Sequence, residues 1–126
     1  MTKVLVVDDD AELRRIYERV LKNYGFAIII ARDGAEALSK FTKKKPDLVM
    51  LDCDMPDHSG LEIARDILAQ SPTTGVVMIT GHEGALEEAE HIGVDIFLTK
   101  PVSRERLIES LTALSKLRPG MEIDAW

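Results

Sequence analysis

The order of apolar runs and helical stripes in this sequence predicts an α/β domain, a (βα) unit repeated five times, with a mainly parallel sheet and helices on both of its faces. Two observations carry that prediction. Five short apolar runs, most of them rich in Val, Ile or Leu, are continuous rather than alternating, as strands covered on both faces should be. Between them lie segments whose apolar residues advance by three or four, marking one face of a helix. Strict alternation of the two kinds implies parallel strands linked by right-handed crossovers.

The first strand is Lys3 to Val7, and the helix after it carries the clearest stripe: Leu13, Ile16, Tyr17, Val20, Leu21 and Tyr24. Asp10 stands as its N-cap and Gly25 where it should have stopped. The second strand, Ala27 to Ala31, leads through Asp33-Gly34 to a weaker stripe of Ala37, Leu38 and Phe41. Lys43 to Lys45 offset the negative end of that helix, and Pro46 stands beyond it. Leu48 to Asp52 is the third strand; Ser59-Gly60 then opens a helix marked by Leu61, Ala64, Ile67 and Leu68. Val76 to Thr80 is the fourth strand, followed by Ala85 to Ile92, a short helix made acidic by Glu87, Glu88 and Glu90 and stopped at Gly93. Asp95 to Thr99 is the fifth strand. Ser103 opens the last helix, with Leu107, Ile108, Leu111, Leu114 and Leu117. Arg118-Pro119-Gly120 breaks it, so the domain is expected over 1–118, with 119–126 a C-terminal tail or the start of a linker.

At 126 residues the chain has room for one core, and 45% hydrophobic with 30% charged residues is ordinary for a globular domain. Sixteen Lys and Arg against 22 Asp and Glu leave a net charge of −6, which argues against direct binding to a nucleic-acid backbone. One cysteine, Cys53, excludes an internal disulfide, and its spacing from His58, His82 and His91 suggests no zinc site. Cys53 reads as a small apolar group, and His82 and His91 read as solvated. The amino end is too soon interrupted for a signal peptide, and no window approaches 18 apolar residues. A cytoplasmic protein with no membrane partner is the expectation.

In open α/β sheets the ligand site lies at the carboxyl ends of the strands. There the sequence places Asp8-Asp9-Asp10 after the first strand, Asp52 and Asp54 at the third, Thr80 at the fourth and Lys100-Pro101 at the fifth. Two carboxylates about 4 Å apart repel by roughly 4 kcal/mol at an effective dielectric near 20, so several around one point need a positive partner. Lys100 supplies one charge. A hard divalent cation with oxygen ligands supplies the rest, and a few carboxylates with retained waters suit Mg²⁺. A carboxylate beside Mg²⁺, faced by a lysine and a hydroxyl, is arranged to accept a phosphoryl group, with Asp52 as the nucleophile.

Val6-Val7-Asp8-Asp9, Leu51-Asp52-Cys53-Asp54-Met55-Pro56, Ile79-Thr80-Gly81 and Phe97-Leu98-Thr99-Lys100-Pro101 together resemble the receiver domain of bacterial two-component response regulators, over about Lys3 to Leu117. The resemblance implies a flavodoxin-like sheet with strand order 2-1-3-4-5. It implies Asp52 as phosphoacceptor, fed by a phosphohistidine of a sensor histidine kinase or phosphotransfer protein. Asp8, Asp9, Asp52 and the backbone carbonyl of Asp54 would hold Mg²⁺, and Thr80 and Lys100 would grip the phosphoryl oxygens. Phe97 stands at the place of an aromatic switch residue that turns inward when Thr80 moves toward the phosphate. The loop Gly81-His82-Glu83-Gly84 would rearrange, and the face of the fourth helix, fifth strand and fifth helix would meet an output domain or a second copy.

Asp54, two residues after the acceptor, and His82, two after Thr80, are expected to tune the rate of dephosphorylation. Such a chain is a regulatory phosphoacceptor that assists its own phosphorylation and dephosphorylation, not an enzyme with an external substrate. Two other functions compete. Asp52 and Asp54 could form the Asp-x-Asp pair of a haloacid-dehalogenase-like phosphatase, although that pair normally follows the first strand. A phosphorylation-independent interaction module on the same fold is the other, and every site position being filled argues against it.

Overall fold

A computed structural model of the chain describes residues 1–56, 59–81 and 84–117. Ten elements alternate: β1 (Lys3–Val7), α1 (Ala11–Asn23), β2 (Ala27–Ala31), α2 (Gly34–Lys44), β3 (Leu48–Asp52), α3 (Gly60–Gln70), β4 (Gly75–Thr80), α4 (Leu86–Ile92), β5 (Ile96–Thr99) and α5 (Arg104–Leu117). All strands run parallel in one sheet of order β2-β1-β3-β4-β5. The expected order and the doubly wound, flavodoxin-like architecture are therefore what the chain adopts. The expected tail over 119–126 lies outside the described residues.

Both faces of the sheet are covered, and this is why the strands read as unbroken apolar runs. Leu5, Val7, Val49, Leu51, Val76 and Met78 point to one side, where they meet Ala37 and Phe41 of α2, Ile63, Ala64 and Ile67 of α3 and Ala89 of α4. The intervening residues Val4, Val6, Leu48, Met50, Val77 and Ile79 point to the other side. There they meet Leu21 of α1 and Leu107, Leu111 and Leu114 of α5. Each fully buried Val, Leu or Ile contributes about 1.5–3 kcal/mol, so these two clusters hold the sheet between its helices.

The helix ends follow the local chemistry of their sequences. Asp10 Oδ1 accepts from the backbone N–H groups of Glu12 (2.9 Å) and Leu13 (3.3 Å), capping α1. Asp33 accepts from Glu36 N–H at 2.8 Å while the Glu36 carboxylate accepts from Arg32 N–H at 2.9 Å, one residue ahead of the cap, at the start of α2. Ser59 and Ser103 oxygens accept from Leu61 N–H (3.2 Å) and Arg106 N–H (3.1 Å) at α3 and α5. Gly93 (φ 108°) ends α4 in the left-handed region that a side chain resists. Lys45 ends α2 in that same region (φ 49°), just before Pro46, so this stop is made without glycine.

Two strand boundaries differ from the sequence expectation by one residue. β4 begins at Gly75, which pairs with Leu48 of β3, and β5 at Ile96, with Asp95 before it turning its carboxylate onto the N–H of Val76 (2.8 Å) as a link between neighbouring strands. Helix α4 is one residue shorter than expected, and Ala85 ahead of it makes no side-chain cap bond. Arg65 of α3 reaches Glu88 of α4 at 3.1 Å across the surface.

One close approach sets the position of α3 under the third strand. A Cβ at Gly60 would stand 2.6 Å from Cys53 Cα and 3.2 Å from the Asp52 carbonyl oxygen, so only glycine fits against that backbone. Gly60→Ala is expected to lower stability by roughly 1–3 kcal/mol, the range of an overpacked interior. Urea unfolding reads this directly, and an unchanged midpoint would mean that α3 is not seated against Cys53.

Candidate functional site

Strand register brings the site together. Val7 lies opposite Leu51, Asp52 opposite Ile79 and Thr80 opposite Thr99, so Asp8, Asp52, Thr80 and Lys100 fall within one residue of a common row. That row is the carboxyl edge of the sheet. The chain leaves β1 for β2 on one side and returns to β3 on the other, and such a reversal opens a crevice at this edge. Asp8 (3% exposed), Asp52 (5%) and Thr80 (0%) are buried polar groups at the ends of apolar strands, whereas Asp9 is exposed.

The buried groups are each held by named partners. Asp52 Oδ1 accepts from the backbone N–H of Asp54 at 2.9 Å and from Lys100 Nζ at 3.1 Å. Asp8 Oδ1 accepts from Asp10 N–H at 2.9 Å, and the Asp8 carbonyl accepts from Arg14 Nη1 at 2.7 Å. The Asp54 carboxylate faces the fourth strand: Thr80 Oγ1 donates to Oδ1 at 2.9 Å, Gly81 N–H donates to Oδ2 at 2.6 Å, and Lys100 Nζ stands 3.6 Å from Oδ2. Carboxylate oxygens of Asp8, Asp9 and Asp52 all lie within 4.8 Å of one another. Ligands of one Mg²⁺ sit about 2.1 Å from it and so at most about 4.2 Å apart. The trio fits a hard divalent cation with small side-chain adjustments.

The electrostatics carry the mark of this crowding. Burial pushes the Asp8 carboxyl up to about 6, opposed by the Asp10 N–H bond and raised further by the charge of Asp52. Burial alone would lower the Lys100 ammonium, yet its hydrogen bond to Asp52 and the charges of Asp52, Asp54 and Asp8 outweigh this and lift it. Cys53 is raised by burial and then by Asp54 and Asp52, so its thiol stays protonated and packs partly buried beside the core, as the sequence suggests.

Of the expected site residues, Asp8, Asp9, Asp52, Asp54, Thr80 and Lys100 converge. Phe97 is half-buried, three residues before Lys100, and packs against the cluster that contains Ala89 of α4. His82 lies outside the described residues, as does His58. Asp10 is the N-cap that its position predicts. Sequence reasoning missed Arg14, whose guanidinium braces the carbonyl of Asp8; from sequence alone it cannot be told from Arg15 beside it, because only the helix phase turns one of them inward. It also missed that Gly81 offers its N–H to Asp54, a backbone donor with no side-chain signature. The Lys100–Pro101 peptide is cis. No helix among the described residues is long and apolar enough to cross a membrane.

The model of the response regulator receiver domain matches residues 4–112. The chemotaxis protein CheY of Listeria monocytogenes is 34% identical over 119 residues, covering 92% of this chain and all of that one. The transcriptional regulatory protein TrcR of Mycobacterium tuberculosis is 33% identical over 122 residues, covering 95% of this chain but 48% of its own length. Among solved structures, the response regulator TrrA of Thermotoga maritima, in complex with Mg(2+)-BeF, superposes with a TM-score of 0.83 at 32% identity, covering 90% of this chain and 99% of that one.

A carboxyl whose folded pKa lies above its unfolded value binds its proton more tightly in the native state. In cation-free buffer the Asp8 contribution to stability therefore falls as pH rises from about 3.8 to about 6 and stays low above that. Asp8→Asn is expected to raise stability at pH 7.5 by on the order of 2 kcal/mol and to gain nothing below pH 4. Paired urea unfolding curves at the two pH values check it; equal gains at both would reject the assignment.

Proposed function

The chain belongs to the response regulator receiver domain family of two-component systems, and on that premise we propose that it is the phosphoacceptor of a phosphorelay, taking a phosphoryl group onto Asp52 from the phosphohistidine of a sensor histidine kinase or phosphotransfer protein. One observation carries this reading. A buried carboxylate, Asp52, is bound by Lys100 at 3.1 Å and flanked by Asp8 and Asp9, with Thr80 and the Gly81 N–H on the neighbouring strand.

In the proposed step an Asp52 carboxylate oxygen bonds to phosphorus as the phosphorus–nitrogen bond of the donor breaks, the bonding pair returning to the imidazole nitrogen. A carboxylate nucleophile attacks through an oxygen lone pair and needs no general base; the site must position and neutralise. Lys100 offsets charge on the phosphoryl oxygens and Thr80 donates to one of them. Asp8, Asp9, Asp52 and the backbone carbonyl of Asp54 would hold Mg²⁺. Mg²⁺ bound there supplies positive charge to the equatorial oxygens during in-line transfer. The likeness to TrrA, whose structure contains Mg(2+)-BeF, supports that assignment.

Phosphorylation adds nearly two negative charges beside Thr80 and so biases the arrangement of the loop that follows it. Phe97 and the face of α4, β5 and α5 would carry that change to an output domain or a second copy. The chain spans the whole of CheY and about half of TrcR, so relatives of both kinds, with and without further chain, share this domain. Asp54 and His82 are proposed to tune the lifetime of the phosphoryl group. The reading is that of a cytoplasmic signalling module which assists its own phosphorylation and dephosphorylation. A phosphatase of the haloacid-dehalogenase type is set aside because Asp52 and Asp54 follow β3 rather than β1, and Asp54 is engaged with Thr80 and Gly81.

Incubation with acetyl phosphate and Mg²⁺ is expected to give a single phosphoryl adduct by intact mass, absent without Mg²⁺ and absent in Asp52→Asn. No adduct on a folded protein would reject the acceptor role. Once phosphorylated, Asp54→Asn and His82→Ala are each expected to change the lifetime of the adduct severalfold, and lifetimes equal to the native one would remove both from that role.

A further inference from the structure

The carboxylate of Asp54 holds three donors that face the acceptor. Thr80 Oγ1 donates to one of its oxygens at 2.9 Å, Gly81 N–H donates to the other at 2.6 Å, and Lys100 Nζ stands 3.6 Å from that second oxygen while bonding Asp52 at 3.1 Å. A hydroxyl, a backbone N–H and an ammonium on one anion are the donors that an anionic tetrahedral group on Asp52 would need. Thr80 is fully buried in this arrangement, and Phe97 lies half-buried against the core on the α4 side. The network thus has the features of a domain whose fourth strand is already drawn toward an anion.

We infer that the Asp54 side chain is an internal stand-in for the phosphoryl group. Before phosphorylation it occupies the anion position between Thr80, Gly81 and Lys100 and holds the end of β4 in the arrangement that phosphorylation would create. A phosphoryl group on Asp52 must displace it. Asp54 is therefore a positioning residue, acting through Thr80 and Gly81, with two consequences. Binding of a phosphoryl mimic is weakened by the fraction of molecules in which the position is filled: occupied in nine molecules of ten, it weakens the mimic about tenfold. The displacement of Thr80, Gly81 and Lys100 themselves on binding is also small, because these donors are already placed. This inference rests on the acceptor role proposed for Asp52.

Amide NMR spectra of the native chain, Asp54→Ala and Asp54→Asn, titrated with beryllium fluoride in the presence of Mg²⁺, test it. The Gly81 and Thr80 amide resonances are expected to move on Asp54→Ala without ligand and to return toward their native positions when beryllium fluoride binds. In the native chain the same resonances should move little. Apparent affinity for beryllium fluoride should tighten about tenfold in Asp54→Ala and by a smaller factor in Asp54→Asn, which keeps one acceptor oxygen without the charge. Gly81 and Thr80 resonances unmoved by both substitutions, or an affinity that is unchanged or weaker, would overturn the inference. Failure of every variant, native included, to bind beryllium fluoride would instead defeat the acceptor role of Asp52 and the displacement with it, and the Gly81 resonance of ligand-free Asp54→Ala would still decide whether Asp54 holds β4.

Discussion

Repulsion among the carboxylates at the carboxyl edge of β1 and β3 is the constraint around which the rest of this molecule is arranged. Asp8 and Asp52 are nearly devoid of solvent, so water screens their charges poorly, and Asp9 brings a third oxygen within 4.8 Å. Lys100 touches Asp52 and approaches Asp54, but a single ammonium leaves negative charge in excess. Burial raises the Asp8 carboxyl, and the neighbouring charge of Asp52 adds to that rise. A site with such a surplus favours any added cation and, once cations are present, an added anion bound to one of its carboxylates. The chemistry proposed for the site uses that imbalance.

The two apolar clusters make the imbalance tolerable. The strands of β1, β3 and β4 are almost wholly buried, so the positions where they end are defined to within a side chain and the charged groups cannot relax apart by moving backbone. Gly60 lets α3 press against Cys53 immediately after Asp52, and Arg14 braces the backbone of Asp8 from α1. Rigidity on this side contrasts with the other end of the site. Helix α4 has seven residues, no side-chain cap and one fully buried residue, Ala89, so little apolar packing opposes its displacement.

Asp54 joins these two halves. Its backbone N–H donates to Asp52 at the end of β3, while its carboxylate accepts from Thr80 and Gly81 at the end of β4. Residues with a foot in each half are placed to link charge at the acceptor to the position of β4.

Much of this was legible in the sequence because its signals are local or periodic. Continuous apolar runs, helical stripes and the caps Asp10, Asp33, Ser59 and Ser103 determined the ten elements, and the resemblance carried by Asp8-Asp9, Asp52, Thr80 and Lys100 supplied the strand order and the membership of the site. Asp95 and Lys45 show where local reading stops: a strand-end aspartate turned out to bridge β4 and β5, and a lysine took the left-handed position that glycine more often fills. Both outcomes depend on neighbours distant in sequence or on the balance of a whole turn. The same holds at the site. Residue types and spacing determined that carboxylates, a hydroxyl and an ammonium meet at one edge, because parallel strands of similar length must end together. Which oxygen accepts from which donor, and that the Asp54 carboxylate accepts from Thr80 and Gly81, was decided only by tertiary structure, since those contacts depend on register between strands, helix phase and side-chain torsions that no local pattern encodes.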